Sequence, residues 1–206
     1  MRRLHLLRQT DTEMIEDIKE EALQKGVPII KDEGLAFLLN FIVQHDCQDI
    51  LELGTAVAYS AIMMANLNEK ITVDTIEKDE KLYKEALKNI SDAGLNDRIT
   101  VHFMPIEEFS TDKKYDLIFV DAAKAQYGKY LEQFLDNLKE DGYMLFDNMI
   151  FHGLIYEVET ISSRNLRNLV SKINKFRDMV QKDERFDIMM NDNVGDGVWV
   201  LTRRRK

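Results

Sequence analysis

Four apolar, β-branched runs in this 206-residue chain each end in an acidic residue: Glu52, Glu77, Asp121 and Asp147, the last followed by Asn148. Asp121, Asp147 and Asn148 offer only hard oxygen donors, two charged and one a neutral amide. Such a set suits Mg2+ rather than zinc, with room left for water and substrate. Glu77 closes its run where a carboxylate can accept both hydroxyls of a ribose. Glu52 stands just before Leu53-Gly54, where glycine frees the turn in φ, and is expected beside a compact cationic ligand. Taken singly, each of these acids reads as a cap or a turn residue. Four on one rim read as a site.

They share a rim only if the runs are parallel strands, and the intervening patterns supply that. Between Gly54 and the second run, residues 60–67 form a small-residue helix. Residues 71–77 are a strand, and Asp79 then caps a helix that Gly94 stops. Strands over 98–103 and 115–121 follow. A helix over about 126–138 and a turn at Asp141-Gly142 lead to a strand over 143–147. Strands alternating with helices predict right-handed crossovers and a parallel sheet. Helices over 11–25, with Asp11 or Thr12 as cap, and over 32–45 precede the first strand and are expected to pack on the domain or cap it. At the other end a helix over 163–180 is followed by strands over 186–190 and 198–202, joined by a turn-forming run that includes Gly195-Asp196-Gly197. This predicts an antiparallel hairpin at the sheet edge. No repeat or linker divides residues 1–206, so a single α/β domain is expected.

The loop after the first strand, Gly54-Thr55-Ala56-Val57-Ala58, is no phosphate cradle. Ala56 and Val57 stand where a dinucleotide fingerprint needs glycines, and no P-loop pattern occurs in the chain. Composition narrows the class further. A net charge of −9 argues against general adhesion to nucleic acid or anionic membranes. No apolar run is long enough to span a bilayer, and the opening residues are too polar for a signal peptide. The single cysteine, Cys47, rules out an internal disulfide and a cysteine-built zinc site. His5, His45, His102 and His152 show no ligand spacing; His152 follows Asp147-Asn148 closely enough to line a pocket but reads first as a plain loop histidine. A cytoplasmic protein is expected.

Three motifs taken in order carry a resemblance: Glu52-Leu53-Gly54 with Ala58-Tyr59-Ser60, then Phe119-Val120-Asp121-Ala122-Ala123-Lys124, then Phe146-Asp147-Asn148. With Arg164-Asn165, Leu169-Val170 and Gly195-Asp196-Gly197, the chain from about residue 28 onward resembles the metal-dependent O-methyltransferases of the catechol and caffeoyl-CoA type. The resemblance implies a Rossmann-like class I methyltransferase fold with a mostly parallel seven-stranded sheet and helices on both faces. It implies S-adenosylmethionine over the first loop, held by Ile30, Glu52, Gly54, Ser60, Glu77, Pro105, Ile106 and Asp121. Asp121, Asp147 and Asn148 become Mg2+ ligands. Asp121 and Lys124 become the catalytic pair, with Lys124 as base, and a homodimer is implied. One departure is Ala58, where that family has glycine and where a methyl would press on the cofactor.

Mg2+ with two open positions asks for two adjacent oxygens on the acceptor. A small catechol-like phenol provides them; so does 5-hydroxyuridine, and bacterial members of about this length resemble the tRNA wobble 5-hydroxyuridine methyltransferase. The 163–180 helix gathers Arg164, Arg167, Lys172 and Lys175 opposite an apolar face. Arg2, Arg3 and Arg8 open the chain, and Arg203-Arg204-Arg205-Lys206 end it. Such segregated cations suit phosphate contacts, so the anticodon loop of tRNA is the expected acceptor and small phenols the alternative.

Overall fold

The computed structural model describes residues 9–205, with residues 9–12 described as backbone only. The basic opening (Arg2, Arg3, Arg8), His5 and Lys206 lie outside the described residues. In chain order the elements are α1 (Gln9–Gln24), α2 (Asp32–Gln44), β1 (Asp49–Leu53), α3 (Tyr59–Ala65), β2 (Thr72–Glu77), α4 (Glu80–Asp92) and β3 (Ile99–Phe103). Then come β4 (Tyr115–Val120), α5 (Tyr127–Phe134), β5 (Leu138–Phe146), α6 (Arg164–Gln181), β6 (Phe186–Asn191) and β7 (Val198–Arg203). Among the described residues no helix is long and apolar enough to cross a membrane.

The strands form one sheet in the order β3-β2-β1-β4-β5-β7-β6. The first five strands pair in parallel. β7 enters antiparallel beside β5, and β6 pairs antiparallel on its far side. The closing hairpin is thus present, with its second strand inserted between β5 and its first. The chain walks outward from β1 to β3, then returns to lay β4 against β1. With right-handed crossovers that reversal sends α3 and α4 to one face and α5 to the other.

Strand alternation builds the core on both sides. Ile50, Leu117, Phe119 and Leu145 pack under α1–α4 with Ile15, Ile18, Leu38, Ile42, Ile62 and Ile90. Leu51, Leu53, Ile118, Val120, Met144 and Phe146 pack under α5 and α6 with Tyr127, Phe134, Phe176 and Trp199. Cys47 is buried at the entry to β1, and burial pushes its thiol up to about 12. It behaves there as a small apolar filler.

Local signals explain most boundaries. The Asp79 carboxylate accepts from Lys81 N (2.9 Å) and Leu82 N (3.0 Å), starting α4 as expected. Such a cap is worth about 1 kcal/mol. Asp11 and Thr12, expected as caps, fall inside α1, which already covers Gln9. The larger correction is β5. The expected helix to 138 ends at Phe134, and Asp141-Gly142 lies within the strand rather than before it. The pairing of β5 with β4 jumps between Tyr115 and Leu117, so residues 139–142 bulge. A Cβ on Gly142 would stand 3.0 Å from the Tyr115 carbonyl oxygen and 2.9 Å from Leu138 Cγ, so the bulge favours glycine there.

Candidate active site

In an open α/β sheet, ligands bind beyond the strand ends where the strand order reverses, here between β1 and β4. A cavity of about 500 Å3 occupies that place. The loops after the two strands touch at its floor: a Cβ on Gly54 (φ +103°) would lie 2.6 Å from the Asp121 carbonyl oxygen. Only glycine permits both the dihedral and the approach. The β1–α3 loop then continues through Ala56 (φ +47°) and Ala58 (φ +66°), two left-handed alanines. Ala58 is fully buried in the core beneath the loop and contributes nothing to the cavity wall. The expectation that its methyl presses on the cofactor is therefore corrected. Its cost is backbone strain, about 1–2 kcal/mol for a left-handed L-residue.

Glu52 also departs from expectation. It is fully buried under the loop and does not line the cavity. Ser60 Oγ donates to its Oε1 (2.5 Å) and Thr75 Oγ1 to its Oε2 (2.6 Å). Thr55 Oγ1 lies 2.7 Å from Thr75 Oγ1 and completes the relay. Burial pushes the Glu52 carboxyl up to about 7, against the two hydroxyl donors. Both oxygens being engaged inside the protein, Glu52 acts through Ser60, which does line the cavity.

Glu77 reaches the wall at the end of β2. Its Oε2 accepts from Ala56 N (2.9 Å), while Oε1 accepts from Lys78 N (2.9 Å) and Asp79 N (2.8 Å). The carboxylate thus ties the first loop to the second and keeps one lone pair, on Oε2, for a ligand. Beyond it Met104 and Ile106 give an apolar wall. Pro105, expected there, is off the wall: it caps the short 3-10 turn Ile106–Glu108 and leaves its neighbours to face inward. Ile30 and Lys31, from the link before α2, close the opposite side.

The β4–β5 end gathers Asp121, Lys124, Asp147 and Asn148 on the same cavity. Lys124 Nζ stands 3.7 Å from Asp121 Oδ1. Burial pushes the Asp121 carboxyl up, and Lys124 pulls the other way. Asp147 is pushed up to about 7 by burial and by the neighbouring Asp121 charge. Asn148 adopts φ +56°, and its Nδ2 donates to Asp196 Oδ2 (3.3 Å). With the nitrogen so engaged, the amide oxygen is the atom left for a ligand. Two carboxylates and an amide oxygen on one cavity make a donor set that fits a hard divalent cation. Phe151 and His152 flank it, so His152, read as a loop histidine, does border the cavity.

Reasoning from sequence missed three supports. Thr75 and Asp196 are buried polar residues in segments that read as strand and turn. Tyr127 Oη donates to the Asp147 carbonyl (2.8 Å) from what reads as an ordinary core position of α5. Only Asp196 carried a signal, its place between two glycines. The expected basic surface divides. Arg203, Arg204 and Arg205 reach the Leu135 carbonyl, Asp187 and Asp141, and Arg167 reaches the Ile161 carbonyl. Arg164, Lys172 and Lys175 stand exposed along α6.

A sheet of this strand order, with its cavity at the switch point, defines the class I methyltransferase fold. Over residues 7–205 the chain matches the O-methyltransferase family. It is 31% identical to the caffeoyl-CoA O-methyltransferase of Populus kitakamiensis across 93% of this chain and 86% of that protein. It superposes with TM-score 0.88 and 30% identity on a Staphylococcus aureus protein provisionally described as a caffeoyl-CoA O-methyltransferase, covering 92% of each chain. A Podospora anserina methyltransferase solved with S-adenosylhomocysteine shares the fold, with TM-score 0.82 at 22% identity over 98% and 91% of the two chains. The chain belongs to this O-methyltransferase family, S-adenosylmethionine-dependent enzymes of the caffeoyl-CoA type.

Proposed function

We propose that the protein transfers a methyl group from S-adenosylmethionine to one hydroxyl of a small catechol-like phenol, with Mg2+ held by Asp121, Asp147 and Asn148. The observation that carries this reading is the meeting of Asp121 and Asp147 beside Lys124, on the same cavity that Glu77 borders. The name of the Populus relative points the same way.

Glu77 takes a ribose hydroxyl on the lone pair left on its Oε2. Ser60, steadied by Glu52, and the backbone near Gly54 cradle the methionine part, while Ile30 and Ile106 border the rest of the donor. A divalent cation held by Asp121, Asp147 and Asn148 would supply positive charge that makes an acceptor hydroxyl more acidic. Lys124 Nζ, as the free amine, receives the hydroxyl proton and becomes the ammonium partner of Asp121. The oxygen then forms a bond to the methyl carbon as the carbon–sulfur bond breaks in line, and the sulfur keeps the electron pair as neutral S-adenosylhomocysteine. Holding the two reactants in this alignment is the main service of the cavity walls.

5-Hydroxyuridine in tRNA presents the same pair of adjacent oxygens, and Arg164, Lys172 and Lys175 on α6 offer it cations. The test is methyl transfer from labelled S-adenosylmethionine to a panel of catechols and to tRNA bearing 5-hydroxyuridine, with Mg2+ or EDTA. Transfer to catechols that EDTA stops is the expected result. Transfer to tRNA alone moves the acceptor, and equal rates in EDTA remove the metal.

A further inference from the structure

We propose that Asp196, in the β6–β7 loop, is a positioning residue that holds the Asn148 amide with its oxygen turned toward Asp121 and Asp147. The inference rests on the metal reading above and assigns the orientation of one ligand in it.

Asp196 is only 2% exposed, so its carboxylate must find its partners inside the protein. Its Oδ1 accepts the backbone N–H of His152 at 2.7 Å. Its Oδ2 faces Asn148 Nδ2 at 3.3 Å and His152 Nδ1 at 3.2 Å, and Lys31 Nζ lies 3.6 Å from Oδ1. The loop is wedged where it can do this. A Cβ on Gly195 would stand 3.1 Å from Gly34 N, and one on Gly197 would stand 2.8 Å from Ile150 N. The loop carbonyls also hold the segment after β5: Met149 N donates to Gly197 O (2.8 Å) and Ile150 N to Asp196 O (2.9 Å). Asn148, Phe151 and His152 all have positive φ, so that segment keeps its path only while such outside bonds define it.

The chemistry of the facing groups then fixes the amide. Both Asp196 oxygens act as acceptors here, Oδ1 from His152 N and Oδ2 from Asn148 Nδ2, so the Asn148 atom against the carboxylate is the nitrogen. The oxygen is thereby turned away from Asp196. A rotated amide would set oxygen against oxygen at Asp196 and turn a nitrogen, which cannot ligate a hard cation, toward the metal side.

Replacing the carboxylate with its isosteric amide should reverse this. The His152 backbone N–H cannot turn around, so it keeps the oxygen of the new side chain. The new NH2 then faces both His152 Nδ1 and residue 148; one of its hydrogens can go to the ring nitrogen, and the other demands an acceptor from residue 148. Asp196→Asn should therefore flip the Asn148 amide and weaken Mn2+ binding, read from the free-ion electron paramagnetic resonance signal, by about 10- to 100-fold. S-adenosylhomocysteine affinity should stay unchanged. Asn148→Asp in that background restores an acceptor toward residue 196 and an oxygen toward the metal, and should recover most of the lost affinity. Asn148→Asp alone sets two carboxylates face to face and should bind Mn2+ less well than the double variant. Wild-type affinity in Asp196→Asn overturns the proposal, as does a single Asn148→Asp that equals the double variant. If Asp196→Asn does not fold, the double variant decides: folded and binding Mn2+ it supports the pairing, otherwise it overturns it. A wild-type protein that binds no Mn2+ sinks the metal reading together with this inference, whereas Asp196→Asn binding as wild type sinks this inference alone.

Discussion

At the β1–β2 end of the cavity the carboxylates are met by donors from the protein itself. Glu52 takes two hydroxyls and Glu77 takes three backbone N–H groups. At the β4–β5 end Asp121 has Lys124 at 3.7 Å, and Asp147 is raised by burial and by Asp121 itself. One end is a closed hydrogen-bond network that shapes a loop. The other concentrates negative charge that its neighbours only partly offset. Under the function proposed above, the contrast separates two tasks within one cavity. Binding a donor nucleoside calls for fixed geometry, while activating a hydroxyl calls for charge that an incoming cation and substrate can use.

Removing charge from the second end should cost the most. Asp147→Ala is expected to lower Mg2+-dependent transfer by at least about a hundredfold, with S-adenosylhomocysteine affinity by calorimetry within experimental scatter of wild type. Loss of cofactor binding in this variant would erase the distinction between the ends. The reciprocal change is smaller. Glu77→Ala removes charge-assisted hydrogen bonds and should weaken S-adenosylmethionine roughly tenfold to a hundredfold while Mn2+ affinity is retained. If Mn2+ binding falls in parallel, the two ends are one network.

The smallest effect concerns stability. The folded Glu52 carboxyl is raised from an ordinary 4.5 to about 7, so folding favours its neutral form. Its contribution is fully present below about 4.5 and is lost as pH rises through about 7, a change on the order of 3 kcal/mol. Urea unfolding at pH 5 and pH 8 should therefore show wild type losing more stability with pH than Glu52→Gln. Parallel slopes for the two proteins would mean that Glu52 is not held neutral.

Much of this arrangement is legible in the residues alone. Parallel strands that each end in an acid place Glu77, Asp121 and Asp147 on one rim by topology, and the structure brings them to one cavity. What is not legible depends on side-chain direction at the strand ends. Glu52 and Glu77 occupy similar places in the sequence pattern, yet one lies under the loop and the other on the wall. Strand β2 supplies the difference, because Thr75 meets Glu52 across the β1–β2 register. No local pattern reports that pairing. The start of β5 escaped for a similar reason: Asp141-Gly142 has the composition of a turn, and only the approach of Tyr115 shows it to be a bulge. Asp196 escaped because its partners are some forty residues away along the chain, at Asn148 and His152.

The order of the last two strands bears on how the molecule comes together. β7 is made after β6 but lies inside it, against β5. During synthesis β5 keeps a bare edge until residues 198–203 emerge, and bare edges invite stray pairing. The residues of the β1–β2 end precede both closing strands, whereas the loop carrying Asp196 emerges between them. A chain halted before the β6–β7 loop would carry every residue of the β1–β2 end of the cavity but lack the Asp196 carboxylate to which Asn148 donates.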